Sequence, residues 1–390
     1  MGYNICNCGK REEGMYRVYF DMGVFTYWSE ESLESRRLIS RGGVLVSDET
    51  ALESVNDGTE PIDPDIIELL NNLLRSGFEL NVCDSCTTAE LKKKLSLYGI
   101  DSMFTTVMGS RSPNALSGKM CKVRSRDDFS MFVGSNDLMI EAADLCQMPV
   151  IAYGENMSEI EREPFCWALY PLEVEDQIHT CIVIHEVAKR VIEKNARVLG
   201  IDGIEFAGKK FFTAKLGRYF DLLGKDYDVV DLEDYHRAVE QSYKGENPVE
   251  SYYFNGFNND KLISEVLKPF SKSGEIDKVV YCLDSSNDSF VNERHYKLSQ
   301  EGVLILIGTM MYREPLMRYF DATVYMRVDY REAEHRASLQ DIPVYSDDPV
   351  EEYRRKQIPA QKMYIQRHDP FDGRDFVIDN SNYHRPFFIN

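Results

Sequence analysis

Short apolar runs alternate with amphipathic stretches along most of the chain, a pattern that predicts parallel sheets covered on both faces by helices. In the first half, Tyr16 to Phe20 is expected as a strand, Pro64 to Ser76 as a helix opened by Asp63, and Glu79 to Cys83 as a second strand. A helix from Thr88 to Tyr98, a strand from Phe129 to Val133, a helix from Asp137 to Cys146 and a strand from Val150 to Tyr153 follow. The periodicity breaks around 155–175, where Pro164 and Pro171 fall, and the domain junction is expected there. A helix from Gln177 to Asn195 then leads into a strand from Arg197 to Ile201, and the alternation starts afresh. The expected fold class is α/β, with two doubly wound, mainly parallel-sheet domains: residues 1–165, a linker and lead-in helix over 166–195, and residues 196–390.

A length of 390 residues agrees with two domains, because single cores rarely grow that large. The formal net charge of −20 sets up a field that repels nucleic acid, so none is expected as a partner. No long uninterrupted apolar run and no signal-peptide layout are found, so a cytoplasmic protein without a membrane partner is expected. The nine cysteines are scattered, and Cys146, Cys166, Cys181 and Cys282 sit in apolar runs, which argues against a disulfide framework. Cys6, Cys8, Cys83 and Cys86 have the numbers for a four-thiolate zinc site, although Cys83 already ends a strand.

The strand ending at Ile201 runs into Gly203-Ile-Glu-Phe-Ala-Gly208-Lys209-Lys210 and then a helix from Phe211 to Leu223. This is a Gly-x-x-x-x-Gly-Lys loop in strand–loop–helix context. Its glycines let backbone amides curl around a phosphate, the helix start adds partial positive charge, and Lys209 reaches the outer oxygens. ATP or another nucleotide is the cofactor such a loop would take. The next position, normally a hydroxyl that ligates magnesium, is Lys210, and a charged ammonium cannot ligate a metal. Thr213 lies a turn further on, facing elsewhere.

Residues 195 to 390 resemble the uridine kinase and phosphoribulokinase-like family. Tyr227-Asp-Val-Val-Asp-Leu-Glu-Asp-Tyr-His-Arg237 is similar to its strand ending in Asp-Asp-Phe-Tyr-Arg, with Glu233 at the catalytic acid's place. The resemblance implies a substrate side at Asp234, Tyr235 and Tyr253, and phosphate contacts from Gly203, Gly208, Lys209, Lys210, Phe211, Arg336 and Arg354. Gln361 and Tyr364, and the closing Val377-Ile-Asp-Asn380, also match in order. Ile307 stands where the family ends a strand in an acidic residue, and Gln340 where a second lid arginine would clamp phosphoryl charge. Taken alone, His236 reads as exposed rather than catalytic, and Arg354 and Arg355 as an ordinary polar helix face.

Residues 15 to 155 resemble the haloacid-dehalogenase-like family. Arg17-Val-Tyr-Phe-Asp21-Met-Gly23 is similar to its opening Asp-x-Asp-Gly, which implies Asp21 as nucleophile, but the second aspartate is missing. Ser85, Thr87 or Thr88 falls at the phosphate-binding hydroxyl, and Lys119 or Lys122 at the charge-balancing lysine. In the Val-Gly-Asp-Ser-like segment, Ser135 and Met139 replace the magnesium aspartates and Asp137 lies between them. Phosphatase activity is not expected.

Three functions remain open on the sequence. The first is a catalytically impaired nucleotide- or phosphate-binding pseudoenzyme acting as sensor, scaffold or regulatory partner, with a protein partner or a second copy of itself. The second is an active ATP-dependent kinase of a nucleoside- or sugar-like alcohol, with Glu233 as base and atypical metal handling. The third is metal-free recognition of a phosphorylated small molecule, with Lys210 standing in for the cation.

Overall fold

The computed structural model describes residues 15–26, 62–123, 128–154, 163–238, 247–284, 289–339, 351 and 353–389. The chain divides into two compact units that meet at Ile182 and Val183, within the helix Pro171–Glu193.

The first unit holds β1 (Tyr16–Phe20), β2 (Glu79–Asp84), β3 (Thr106–Gly109), β4 (Phe129–Gly134), β5 (Val150–Tyr153) and β6 (Cys166–Ala168). They form one parallel sheet in the order β3-β2-β1-β4-β5-β6. The chain builds outward from β1 to β3, then returns to lay β4 on β1's other flank. The carboxyl ends of β1 and β4 therefore border the topological switch point, the usual ligand crevice of such sheets. β4 is buried at every position, as expected of a strand covered on both faces.

Local signals set the helices around this sheet. Asp63 caps the helix Pro64–Arg75 by accepting from Asp65 N, Pro64 occupies a first-turn position, and Arg75 lies in the last turn. Ile66, Leu69, Leu70 and Leu73 recur at helical spacing and are its buried face. Thr87 and Glu90 form a reciprocal capping box that starts the helix Thr88–Leu97. Tyr19, Met108, Leu116, Phe132, Met139 and Ile140 share one core cluster, and Cys83 lies in it fully buried.

The second unit holds β7 (Val198–Gly203), β8 (Tyr227–Asp231), β9 (Ile276–Asp284), β10 (Ser289–Leu298), β11 (Val303–Gly308), β12 (Ala322–Arg327), β13 (Phe376–Asp379) and β14 (Phe387–Phe388). The sheet order is β14-β13-β12-β7-β11-β8, parallel except for β14. β7 and β11, both central, are buried throughout. The chain leaves β7 towards β8, comes back to β11, then crosses to β12, so the switch point lies at the carboxyl end of β7. β9 and β10 form a separate antiparallel hairpin. Lys297 N donates to Asp228 Oδ2 at 2.8 Å and ties that hairpin to β8.

The α/β class and its two mainly parallel sheets agree with the sequence expectation. β3, β6, the helix Pro113–Val123 and the hairpin were not anticipated; β3 and β6 have four and three residues and lack the continuous apolar run that marks β5. The long helix starts at Pro171 rather than Gln177, since proline suits a first helical position. It ends before Asn195, whose φ of 48° is left-handed. Among the described residues, no helix is long and apolar enough to cross a membrane.

Candidate functional site

The loop between β7 and the helix Lys209–Leu222 lies at the switch point of the second sheet. Gly208 adopts φ 85°, and a Cβ there would stand 2.5 Å from Asn380 Nδ2. At Gly203 a Cβ would meet Met326 O at 2.4 Å, so both glycines are required by the backbone's path. Phe206 is also left-handed, at φ 61°. No side chain caps the helix, which leaves its first-turn N–H groups facing a ligand or water.

Lys209 bends back over this loop. Its Nζ donates to Gly203 O at 2.9 Å, Ile204 O at 2.7 Å and Thr309 Oγ1 at 3.3 Å. Burial lowers its pKa, opposed by the charges of Asp202, Glu205, Glu233 and Asp231. Asp202 is fully buried and accepts from Gly203 N at 2.8 Å, Met311 N at 3.1 Å, Tyr312 N at 3.3 Å and the Tyr364 hydroxyl. It anchors the start of the loop. Burial raises its pKa, and those donors hold it back.

Lys210 turns to β8: its Nζ stands 2.8 Å from Asp231 Oδ2. Asp231 also accepts from Glu233 N at 3.0 Å and so caps the short 3-10 turn Leu232–Tyr235. Glu233 faces His236, Oε2 to Nε2 at 3.1 Å, while His236 Nδ1 lies 3.2 Å from Gly256 O. A carbonyl accepts only, so Nδ1 carries a proton and the carboxylate draws a second one to Nε2. Burial works to raise the Glu233 pKa, but His236, Lys209 and Lys210 outweigh it and hold the carboxyl well below the usual range. Burial pulls His236 the other way, and Glu233 with Glu205 raises it above the ordinary histidine value. Glu205, in the loop itself, accepts from the Tyr252 hydroxyl, and burial together with the charge of Glu233 pushes its carboxyl up.

Other residues expected at the site have different partners. Arg336 donates to Glu332 Oε1 at 2.8 Å, Asn380 O at 2.7 Å, Ser381 O at 3.0 Å and Phe206 O at 3.3 Å. It braces the Gly203-to-Gly208 loop against the closing strand through carbonyls instead of reaching outward. Arg354 pairs with Glu334 at 3.1 Å on an exposed helix face. Asp234 binds Arg294 through two hydrogen bonds of 2.7 and 2.9 Å, and Tyr235 is buried in the core. Tyr253 is buried too, its hydroxyl 2.7 Å from His368 Nε2. Phe211 is half exposed, edge-on to Tyr383. Ile307 is buried and in register with Ile201 and Asp231, so the strand ends in an apolar side chain. Gln340 lies outside the described residues.

The loop's donors fit an anionic phosphate, but its carboxylates do not fit magnesium as arranged, because Asp231 is held by Lys210, Glu205 by Tyr252 and Asp202 by four donors. Among the described residues, no group of three or more His, Cys, Asp or Glu side chains could hold a metal ion. The sequence reasoning missed Asp202, Glu205, Asp231, Tyr252 and Thr309. Only the loop position of Glu205 and the strand-end position of Asp231 signalled them.

In the first unit Asp21 follows β1 and is buried. Its Oδ2 accepts from Ser135 N at 2.8 Å and Asn136 N at 3.1 Å; its Oδ1 accepts from Val24 N at 3.1 Å and Ser135 Oγ at 3.2 Å. Burial pushes the carboxyl up to about 6 against these donors. Gly23 and Gly134 admit this packing, since a Cβ at Gly23 would lie 2.0 Å from Ser135 Oγ, and one at Gly134 2.8 Å from Asp21 Oδ2. The expected nucleophile is thus wrapped by its own chain. Met139 is core, and Asp137 Oδ1 is buried without a hydrogen-bond partner among the described residues. Ser85 bonds Asp84, Thr87 caps a helix, and Thr88 Oγ1 accepts from Gly109 N at 3.0 Å. Lys119 donates to Gly109 O at 2.7 Å, while Lys122 lies in the last turn of its helix. Cys86 is 3.8 Å from Asp84, and Cys6 and Cys8 lie outside the described residues.

No family model matches the chain, and no curated protein does. Among solved structures, a possible uridine kinase from Bacillus stearothermophilus is similar, at 19% identity and a TM-score of 0.40, over 50% of this chain and 96% of that one. A haloacid-dehalogenase-like hydrolase from Streptococcus pneumoniae is similar at 15% identity and a TM-score of 0.30, over 42% of this chain and 98% of that one. A hydrolase of the same superfamily from Ehrlichia chaffeensis is similar at 13% identity and a TM-score of 0.28, over 44% and 100%. By strand order the chain holds two α/β units, the first with Asp21 directly after its first strand and the second with the Gly203-to-Lys209 loop after its own.

Proposed function

We propose that the second unit binds the phosphates of ATP or another nucleotide without magnesium, and that the chain works as a catalytically impaired sensor, scaffold or regulatory partner. The observation that carries this reading is the ion pair between Lys210 Nζ and Asp231 Oδ2 at 2.8 Å. It puts a fixed positive charge beside the loop and occupies the carboxylate a divalent cation would need. Gly208, the uncapped helix start and Lys209 supply the anion contacts. Lys209 can exchange its two loop carbonyls for phosphate oxygens.

Catalysis has weaker support. Glu233 is a poor general base, because its paired carboxyl lies far below the operating range that proton transfer favours. In the first unit Asp21 spends both oxygens on its own backbone and on Ser135. An active alcohol phosphotransferase is the second reading. It is favoured by Glu205, a raised carboxyl at the loop in contact with Tyr252, since such perturbed groups gather at reaction centres.

Incubation of the full chain with γ-labelled ATP and a panel of nucleosides, pentoses and pantetheine-like alcohols separates the two readings. The pseudoenzyme reading expects no labelled product with or without magnesium. Product that vanishes in Lys209→Ala establishes the phosphotransferase instead.

A further inference from the structure

The first unit also contains a pair of thiols that neither cradle uses. Cys121 is exposed near the end of the helix Pro113–Val123, and Cys146 is buried just after the helix Asp137–Asp144. Their Sγ atoms lie 3.1 Å apart although 25 residues separate them in sequence. Cys146 Sγ also meets Ser117 Oγ at 3.2 Å and Ser117 O at 3.3 Å, one turn before Cys121 on the same helix. Cys83, in the same cluster, is fully buried on β2 and presents no thiol to solvent.

We infer that Cys121 and Cys146 form a reversible dithiol–disulfide pair, oxidised by a low-molecular-weight disulfide such as glutathione disulfide. Sulfurs already in contact need to close by only about 1 Å to reach covalent distance. Burial divides the roles. The exposed Cys121, as thiolate, attacks one sulfur of the external disulfide; that S–S bond breaks, and one small thiol leaves with the electron pair and takes up a proton. Cys146 then gives up its proton, and its thiolate attacks the Cys121 sulfur, expelling the second small thiol. Two protein thiols are oxidised to one disulfide and one external disulfide is reduced to two thiols. Thiol reductants run the sequence backwards.

The bond would tie the end of the helix Pro113–Val123 to the residues just past the helix Asp137–Asp144.

The test is peptide mass spectrometry of the full chain equilibrated with stepped ratios of glutathione disulfide to glutathione, then alkylated. The expected product is a Cys121–Cys146 cross-link that reverses as the ratio falls. In Cys146→Ser or Cys146→Ala, whichever keeps the wild-type circular dichroism, the reaction should stop at a glutathione adduct on Cys121. Cys121→Ser should give neither product. Wild-type protein that stops at the Cys121 adduct, cross-links other cysteines, or does not react at any ratio overturns the inference.

Discussion

Lys210 Nζ and Asp231 Oδ2 stand 2.8 Å apart, bridging the start of the helix Lys209–Leu222 and the end of β8. With 73% of the lysine side chain exposed, the pair adds little to stability. Its consequence is for ligands. Lys210→Ser frees Asp231 and restores a hydroxyl, so ATP binding should change from magnesium-independent to magnesium-strengthened by roughly tenfold. Thermal unfolding should move by no more than about 1 kcal/mol.

Glu205 places a carboxyl inside the loop that is to hold an anion. Replacing it by Gln keeps a partner for the Tyr252 hydroxyl and removes a like charge. ATP affinity of Glu205→Gln should rise by roughly threefold to tenfold at pH 7.5, with the gain shrinking as salt is added. Titration calorimetry at two ionic strengths checks both parts.

The Glu233–His236 pair makes the second unit's stability depend on pH from both sides. Glu233 has a depressed pKa, so its contribution is present above its unfolded value of 4.5 and is lost as pH falls towards the folded one. His236 has a raised pKa, so its contribution is present below 6.5 and is lost as pH rises through the folded value above that. Protection of β8 amides relative to their intrinsic exchange rates should therefore be greatest between about pH 4.5 and 6.5. His236→Ala should flatten the profile and let the Glu233 carboxyl titrate nearer its ordinary range by carbon-13 NMR.

Asp21 acts in the opposite sense. Its folded pKa of about 6 lies above the ordinary 3.8, so the folded unit binds more protons than the unfolded chain in that window, and stability falls as pH rises through it. Asp21→Asn removes this slope. It also turns an amide NH2 towards backbone N–H donors, at a cost of about 1–3 kcal/mol. Denaturant unfolding at pH 4.5 and 7.5, followed by exchange in β1 and β4, should show both effects.

What the sequence made legible was mostly local. The spacing of Gly203, Gly208 and Lys209 located a glycine loop between a strand and a helix, and apolar runs located most of the strands. Arg336 was expected to contact phosphate, but its acceptors, the carbonyls of Phe206, Asn380 and Ser381, lie up to 130 residues away. Asp202 looks like any strand residue until Tyr364, 162 residues on, donates to it. Asp234 and Tyr235 were expected to face substrate; the hairpin that claims Asp234 through Arg294 leaves no local trace at those positions. Periodicity reports which face is buried. It does not report which distant polar group completes a buried charge.

The most direct measurement is calorimetric titration of ATP into the full chain, with and without magnesium, beside Lys209→Ala. Magnesium-independent phosphate binding gives an affinity that agrees within about twofold between the two conditions and is lost in Lys209→Ala. Affinity that rises about tenfold or more on adding magnesium to the wild-type chain would contradict it.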